Sequence, residues 1–302
     1  MNKNAYSAID SIQPAAFRCM GARRGARMGT AMKSFEELKK KKLFLFDIDG
    51  TLAVGDTLYE GSADLLAHIE AIGGKSYFIT NNSTKSGTDY VEKFRSVFGL
   101  ETTTDQFITS GYMTLRFLKS QYADKKIFVL GTASFVAELR KNGLNITETA
   151  EDGIDCVVAA YDSELTYEKL KQISKVLLTT DAPFYGTNPD LRCPIDFGFI
   201  PDCGAICNMI TATTDRTPVY LGKPSRKVVE LCLTLSGFSP EETLVVGDRL
   251  YTDIACGINA GVDTCVLFTG EAKPEDMENT AYPASYRFQN VKELLVHCTE
   301  AL

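Results

Sequence analysis

Asp47-Ile48-Asp49-Gly50-Thr51 brings two carboxylates, a glycine that frees the backbone to turn and a hydroxyl into five positions. On an extended backbone, side chains two residues apart project to the same side. Two acids held that close repel each other unless a proton or a cation intervenes. A divalent metal together with a phosphate resolves the conflict with the fewest parts. Three other segments offer groups that suit the same chemistry. Thr80-Asn81-Asn82 carries a hydroxyl and amides, Gly222-Lys223-Pro224 a cation, and Gly247-Asp248 followed by Thr252-Asp253 two further carboxylates. Oxygen ligands of this kind suit Mg²⁺, which is commonly held by one or two carboxylates plus substrate phosphate. The lysine and hydroxyl donors suit phosphoryl oxygens.

Each segment follows a short apolar run, and this is what can bring them together. Leu43-Phe44-Leu45-Phe46 precedes the first, Ser76-Tyr77-Phe78-Ile79 the second, Val219-Tyr220-Leu221 the third and Leu244-Val245-Val246 the fourth. Runs such as 43–46 read as strands buried on both faces. The pattern predicts helices near 62–72, 87–98, 133–141, 167–178, 204–213, 225–236 and 252–260, and further strands at 127–130, 156–160, 184–185 and 264–268. Strand and helix in alternation imply parallel sheets with right-handed crossovers. The strand-to-helix turns of such a sheet fall on one edge, where open α/β sheets bind ligands. Two sheets are expected rather than one of about nine strands, because single cores stop growing at that size. Residues 103–218 are expected to form their own α/β unit between core segments 40–102 and 219–302. Taken singly, each motif has a plainer reading: a turn at Asp49-Gly50, an exposed loop at Gly222-Lys223-Pro224, a helix cap at Asp253. Their joint appearance after strands argues against that reading.

The bulk composition excludes several classes. A net charge of −7 over 302 residues argues against sequence-independent binding to nucleic acid. No apolar run approaches the roughly 20 residues needed to span a bilayer. Nine cysteines are scattered, with Cys156, Cys232 and Cys265 in apolar stretches. That favours reduced thiols in a cytoplasmic protein over a disulfide framework. Cys193, Cys203 and Cys207 contain no C-x-x-C pair, which disfavours zinc. Of the two histidines, neither His68 nor His297 has partners arranged as a triad or metal site. Residues 1–32 stand apart, with Arg18, Arg23, Arg24 and Arg27 against the single acid Asp10. They are expected to be a disordered N-terminal extension; a transit peptide, a vector-derived leader or a start site assigned too early are the alternatives. The chain admits a homo-oligomer, and nothing in its sequence decides the matter.

The four motifs in this order resemble those of the haloacid dehalogenase (HAD) superfamily, and more narrowly its NagD or 4-nitrophenylphosphatase-like branch. The resemblance covers residues 40–295, and Gly186-Thr187-Asn188-Pro189-Asp190 and Thr269-Gly270-Glu271 also follow that branch. It implies a Rossmann-like parallel-sheet core with a second α/β cap domain inserted between core motifs. It implies Asp47 as the nucleophile that forms an aspartyl-phosphate, and Asp49 as the acid and then base whose pKa a crowded acidic site would raise. Thr80 and Asn81 would hold phosphoryl oxygens, and Lys223 would neutralise their charge. Asp248 would ligate Mg²⁺ together with Asp47 and the backbone carbonyl of Asp49, with Asp253 just outside. Asn188, with Asp190 and Arg192, is the candidate substrate contact from the cap; Tyr161 and Asp162 are weaker ones. The expected substrate is a small phosphorylated metabolite: a sugar phosphate, nucleoside monophosphate, glycerol phosphate or nitrophenyl phosphate. A phosphotransferase or mutase on the same scaffold is the enzymatic alternative. A non-catalytic phospholigand-binding module is the other, but it predicts loss of Asp47, Asp49, Lys223 or Asp248, and all four are present.

Overall fold

The run Leu43–Phe46 forms a strand buried along its whole length in the computed structural model, which describes residues 33–195 and 197–299. Its side chains divide between two layers. Phe44 and Phe46 pack with Phe78, Phe94 and Tyr286 on one face, Leu43 and Leu45 with Tyr77, Ile79 and Val245 on the other. Full burial of each such side chain contributes about 1.5–3 kcal/mol. The strand is therefore fixed from both sides, and the residue after Phe46 inherits a fixed position.

In chain order the strands are β1 (Leu43–Phe46), β2 (Ala53–Val54), β3 (Thr57–Leu58), β4 (Lys75–Thr80), β5 (Phe107–Thr109), β6 (Lys126–Leu130), β7 (Asn145–Thr147), β8 (Cys156–Ala159), β9 (Phe184–Gly186), β10 (Arg192–Ile195), β11 (Gly198–Pro201), β12 (Val219–Tyr220), β13 (Thr243–Gly247), β14 (Asp263–Leu267) and β15 (Tyr286–Phe288). The helices are α1 (Phe35–Leu38), α2 (Ser62–Ala71), α3 (Gly87–Phe98), α4 (Ser110–Gln121), α5 (Ala133–Lys141), α6 (Tyr167–Thr179), α7 (Cys203–Thr214), α8 (Arg226–Ser236), α9 (Ala255–Ala260) and α10 (Val291–Thr299).

Six strands form one parallel sheet in the order β15-β14-β13-β1-β4-β5. Counted by their own order along the chain they run 6-5-4-1-2-3, so the winding reverses between β1 and β13. Ligands of open α/β sheets bind outside the carboxyl ends of the strands at such a reversal. A second parallel sheet has the order β12-β9-β8-β6-β7. β2–β3 and β10–β11 are short antiparallel hairpins.

The strand division does not fall at residues 103 and 218. β5 pairs with β4 in the first sheet, and β12 with β9 in the second. Phe107 and Ile108 join the two layers of the first core, which draws β5 in. Tyr220 lies over Gly186, where a Cβ would meet its ring at 2.6 Å. The helix expected at 252–260 also begins earlier, with a π-type turn over Leu250–Ile254 before α9. The reading of residues 1–32 as a disordered extension lies outside the described residues. Among the described residues, no helix is long and apolar enough to cross a membrane.

Candidate active site

The parallel ladder carries the chain one residue past β1, the amide of Asp47 donating to the carbonyl of Val246 at 2.9 Å. Asp248 follows β13 across the winding reversal. Its carboxylate accepts from the Glu271 amide at 2.7 Å through Oδ2 and from the Thr51 hydroxyl at 3.3 Å through Oδ1. Two glycines make that seat possible. A Cβ on Gly270 would lie 2.0 Å from Asp248 Oδ2, and one on Gly50 2.7 Å from it. Gly50 also turns the chain with φ at +94°, a conformation side-chain-bearing residues rarely adopt. The Thr269 hydroxyl donates to the Gly50 carbonyl at 2.6 Å, tying the loop after β14 to the turn after β1.

Lys223 bridges two of the acids. Its Nζ donates to Asp47 Oδ1 at 2.5 Å and sits 2.6 Å from Asp253 Oδ1, the latter an ion pair without hydrogen-bond alignment. The other oxygen of Asp253 accepts from the Arg249 amide at 3.0 Å. The main chain of Lys223 is clasped by the side chain of Asn81, whose Oδ1 accepts from the Lys223 amide at 2.9 Å and whose Nδ2 donates to its carbonyl at 3.1 Å.

Carboxylate oxygens of Asp47, Asp248 and Asp253 come within 4.8 Å of one another. At such separations two carboxylates repel by about 4 kcal/mol in a partly buried setting. Burial first, and the neighbouring Asp253 and Asp248 next, push the Asp47 carboxyl well above the usual carboxylate range, against the pull of Lys223. Burial and Asp253 lift Asp248 to about 6. Burial alone would lower the Lys223 ammonium, but Asp253 and Asp47 overturn this and hold it above its ordinary value. Three carboxylates face one lysine, while the guanidinium of Arg249 is engaged by Asp190 at 3.1 Å and Glu271 at 3.3 Å. The cluster is thus an excess of hard, anionic oxygen donors, and at Gly50 and Gly270 a Cβ would collide with the Asp248 carboxylate. It fits a divalent cation of the Mg²⁺ type.

Asp47, Lys223 and Arg249 line a small cleft of about 60 Å³ together with Asp49, Thr80, Asn81, Asp190, Arg192 and Asp202. A larger hollow of about 530 Å³ lies between α2 and residues 99–106, at the start of β4. Chemistry, not size, selects between them: the larger hollow gathers no buried carboxylate cluster.

The structure brings together Asp47, Thr80, Asn81, Lys223, Asp248 and Asp253, and alters several readings. The crowded acids are Asp47, Asp248 and Asp253, whereas Asp49 is exposed at the cleft because Ile48 takes the buried place in the turn. Asn81 lines the cleft, but both polar atoms of its side chain are engaged by the main chain of Lys223. Asn188 is fully buried and does not line the cleft. Its Nδ2 donates to the Asn81 carbonyl at 2.8 Å and its Oδ1 accepts from the Asp190 amide at 3.0 Å. Asp253 sits inside the π-type turn, not at a helix cap. Asp162 is committed to Lys169 at 2.7 Å, and neither it nor Tyr161 reaches the cleft. Arg249, Glu271 and Asp202 went unassigned in the sequence. Arg249 had one signal, its place directly after Asp248.

The chain matches the haloacid dehalogenase-like hydrolase family over residues 44–145 and the HAD-hydrolase-like family over residues 220–294. Together with the doubly wound sheet and the acidic cluster at its reversal, these matches place the chain in the haloacid dehalogenase-like hydrolase family. It is similar to the acid sugar phosphatase of Staphylococcus aureus (strain MRSA252), 31% identical over 258 residues, covering 85% of this chain and 98% of that one. Among solved structures it resembles the 4-nitrophenylphosphatase of Thermotoga maritima, with a TM-score of 0.80 and 35% identity over 87% of this chain and 99% of that one. NagD from E. coli K-12 superposes with a TM-score of 0.75 and 30% identity, covering 84% and 98%. The expected NagD-like branch is the one these relatives occupy.

Proposed function

We propose that this chain is a Mg²⁺-dependent phosphatase that hydrolyses small phosphomonoesters through an aspartyl-phosphate on Asp47. One observation carries the reading: the carboxylate of Asp47 stands at the winding reversal, gripped by Lys223 and beside Asp248. The relatives named for sugar and nitrophenyl phosphates support the substrate class.

Asp47 and Asp248, with the main-chain carbonyl of Asp49, would hold the Mg²⁺ ion, which when bound draws charge from the phosphoryl oxygens and offsets the clustered acids. Lys223 stays charged at any working pH and orients Asp47 through one oxygen. A carboxylate attacks a phosphate dianion only where their mutual repulsion is removed, and phosphoryl transfer depends chiefly on such charge stabilisation and alignment. Asp47 displaces the ester oxygen, which leaves with a proton from Asp49. Asp49 then takes a proton from the water that attacks the aspartyl-phosphate, releasing phosphate and restoring both carboxyls. The hydroxyl of Thr80 lines the same cleft and is available to a phosphoryl oxygen. Buried thiols such as Cys156, Cys232 and Cys265 support a reducing, cytoplasmic setting.

The test is phosphate release from a panel of phosphorylated metabolites, with Mg²⁺ and with EDTA, for the wild-type chain and for Asp47→Asn. The expected result is activity that EDTA abolishes and Mg²⁺ restores, and a loss of at least about a thousandfold in D47N. A D47N enzyme keeping a tenth of the wild-type rate would overturn the nucleophile; full activity in chelator would overturn the metal.

A further inference from the structure

We infer that Asn188 is a positioning residue for Lys223, acting through Asn81, so that the segment carrying the second sheet sets the lysine that grips Asp47. The inference rests on the role given to Lys223 above.

The contacts form a short chain. Asn188 follows β9 of the second sheet, and the amide of Thr187 before it continues that sheet by donating to Ala159 O at 2.9 Å. The Asn188 side chain reaches the carbonyl of Asn81, which follows β4 of the first sheet. The same carbonyl accepts from Ser110 Oγ at 2.6 Å, at the head of the helix by which the chain leaves the first sheet. The side chain of Asn81 then holds Lys223 by both of its main-chain groups. The segments are pressed together at Gly222, whose amide donates to Thr187 O at 2.8 Å. A Cβ there would lie 2.7 Å from both Asn81 Oδ1 and Thr187 O. Asn188, Asn81 and Lys223 are each at most 7% exposed, so water cannot replace a lost partner without a rearrangement. Beyond them, the Asn188-Pro189-Asp190 loop is seated on the first turn of α7, where a Cβ on Gly204 would lie 2.1 Å from Pro189 O. Small displacements of a group that orients a nucleophile cost catalysis steeply.

The rival reading is direct contact between Asn188 and the leaving group, and kinetics separate the two. Asn188→Asp keeps the shape and removes the donor; Asn188→Ala removes the side chain. Both are measured with Mg²⁺ on nitrophenyl phosphate, glycerol phosphate and a hexose phosphate. A positioning role predicts a fall of about 10- to 100-fold, carried by kcat and equal within about threefold across the three leaving groups. It also predicts that N81A/N188A is no slower than N81A alone, because both act through one path. Wild-type kcat in N188D, or losses that differ by about tenfold or more between leaving groups, would overturn the inference. Should thermal melting show that the Asn188 variants do not fold, Ser110→Ala removes the other donor to the same carbonyl. It should show a smaller loss with the same indifference to leaving group, and unchanged kcat there would overturn the inference equally. D47N keeps the two levels apart: an active D47N defeats the nucleophile reading, while a dead D47N beside normal Asn188 and Ser110 variants defeats only the relay.

Discussion

Asp202 shows what the cleft costs the fold. Burial lifts its carboxyl to about 6, from an ordinary 3.8, with Asp190 adding to the rise while the Cys203 amide and Arg249 oppose it. A carboxyl whose pKa is higher folded than unfolded is favoured by folding in its protonated form. Its ionisation therefore costs nothing below about pH 4, costs progressively more as pH rises towards 6, and costs a constant amount above that. Asp202→Asn removes the charge and keeps an oxygen for the Cys203 amide that Asp202 caps at the start of α7. The variant should be about 1–3 kcal/mol more stable than wild type at pH 8 and equal to it near pH 4. Urea midpoints at the two pH values measure this. An equal gain at both would mean the charge is not the source of the cost.

Among the elements, the loop after β14 does most to shape the acidic cluster. Gly270 leaves the space that the Asp248 carboxylate occupies, and the Glu271 amide pins one of its oxygens. Gly270→Ala must displace that carboxylate or the loop, an overpacking cost of about 1–3 kcal/mol. The Mg²⁺ concentration for half-maximal activity should rise at least about tenfold while the secondary structure, followed by circular dichroism, is retained. An unchanged Mg²⁺ requirement would show that Asp248 is not held by this loop. The sequence was legible wherever one element announced itself. The apolar runs at β1, β4 and β13 located Asp47, Thr80 and Asp248, because buried parallel strands carry an unbroken apolar signal. The edge strands β5, β7 and β15 did not: they are three residues each and too brief to show a period. Nor did the sequence separate a side chain that lines the cleft from one that supports it. Asn81 and Asn188 are both polar residues at strand ends, yet Asn81 lines the cleft and Asn188 lies behind it, and only the pairing of their amides across three chain segments shows the difference.

At the scale of the molecule, the segments carrying the two sheets meet through a few charges of very different worth. Arg249 follows β13 of the first sheet, and Asp190 lies in the loop after β9 of the second. They pair at 3.1 Å with side chains 16% and 5% exposed. Burial alone would lower the Arg249 guanidinium, but Asp190 first, then Asp47 and Asp248, hold it firmly charged. Arg192 and Glu271 also bridge the two segments, but at 3.6 Å with side chains 49% and 26% exposed. Exposed pairs of that kind contribute about 0–1 kcal/mol, whereas removing one partner of a buried pair leaves an uncompensated charge and costs about 3–5 kcal/mol. Arg192→Ala should therefore change the stability by less than about 1 kcal/mol. Arg249→Met should destabilise by about 3 kcal/mol and weaken the seating of one segment on the other. If this pair is what makes the two sheets unfold together, wild type gives a single calorimetric transition and R249M gives two. A single transition at the wild-type temperature in R249M would place the coupling elsewhere, in the Asn81–Asn188 contact and the packing around Gly222.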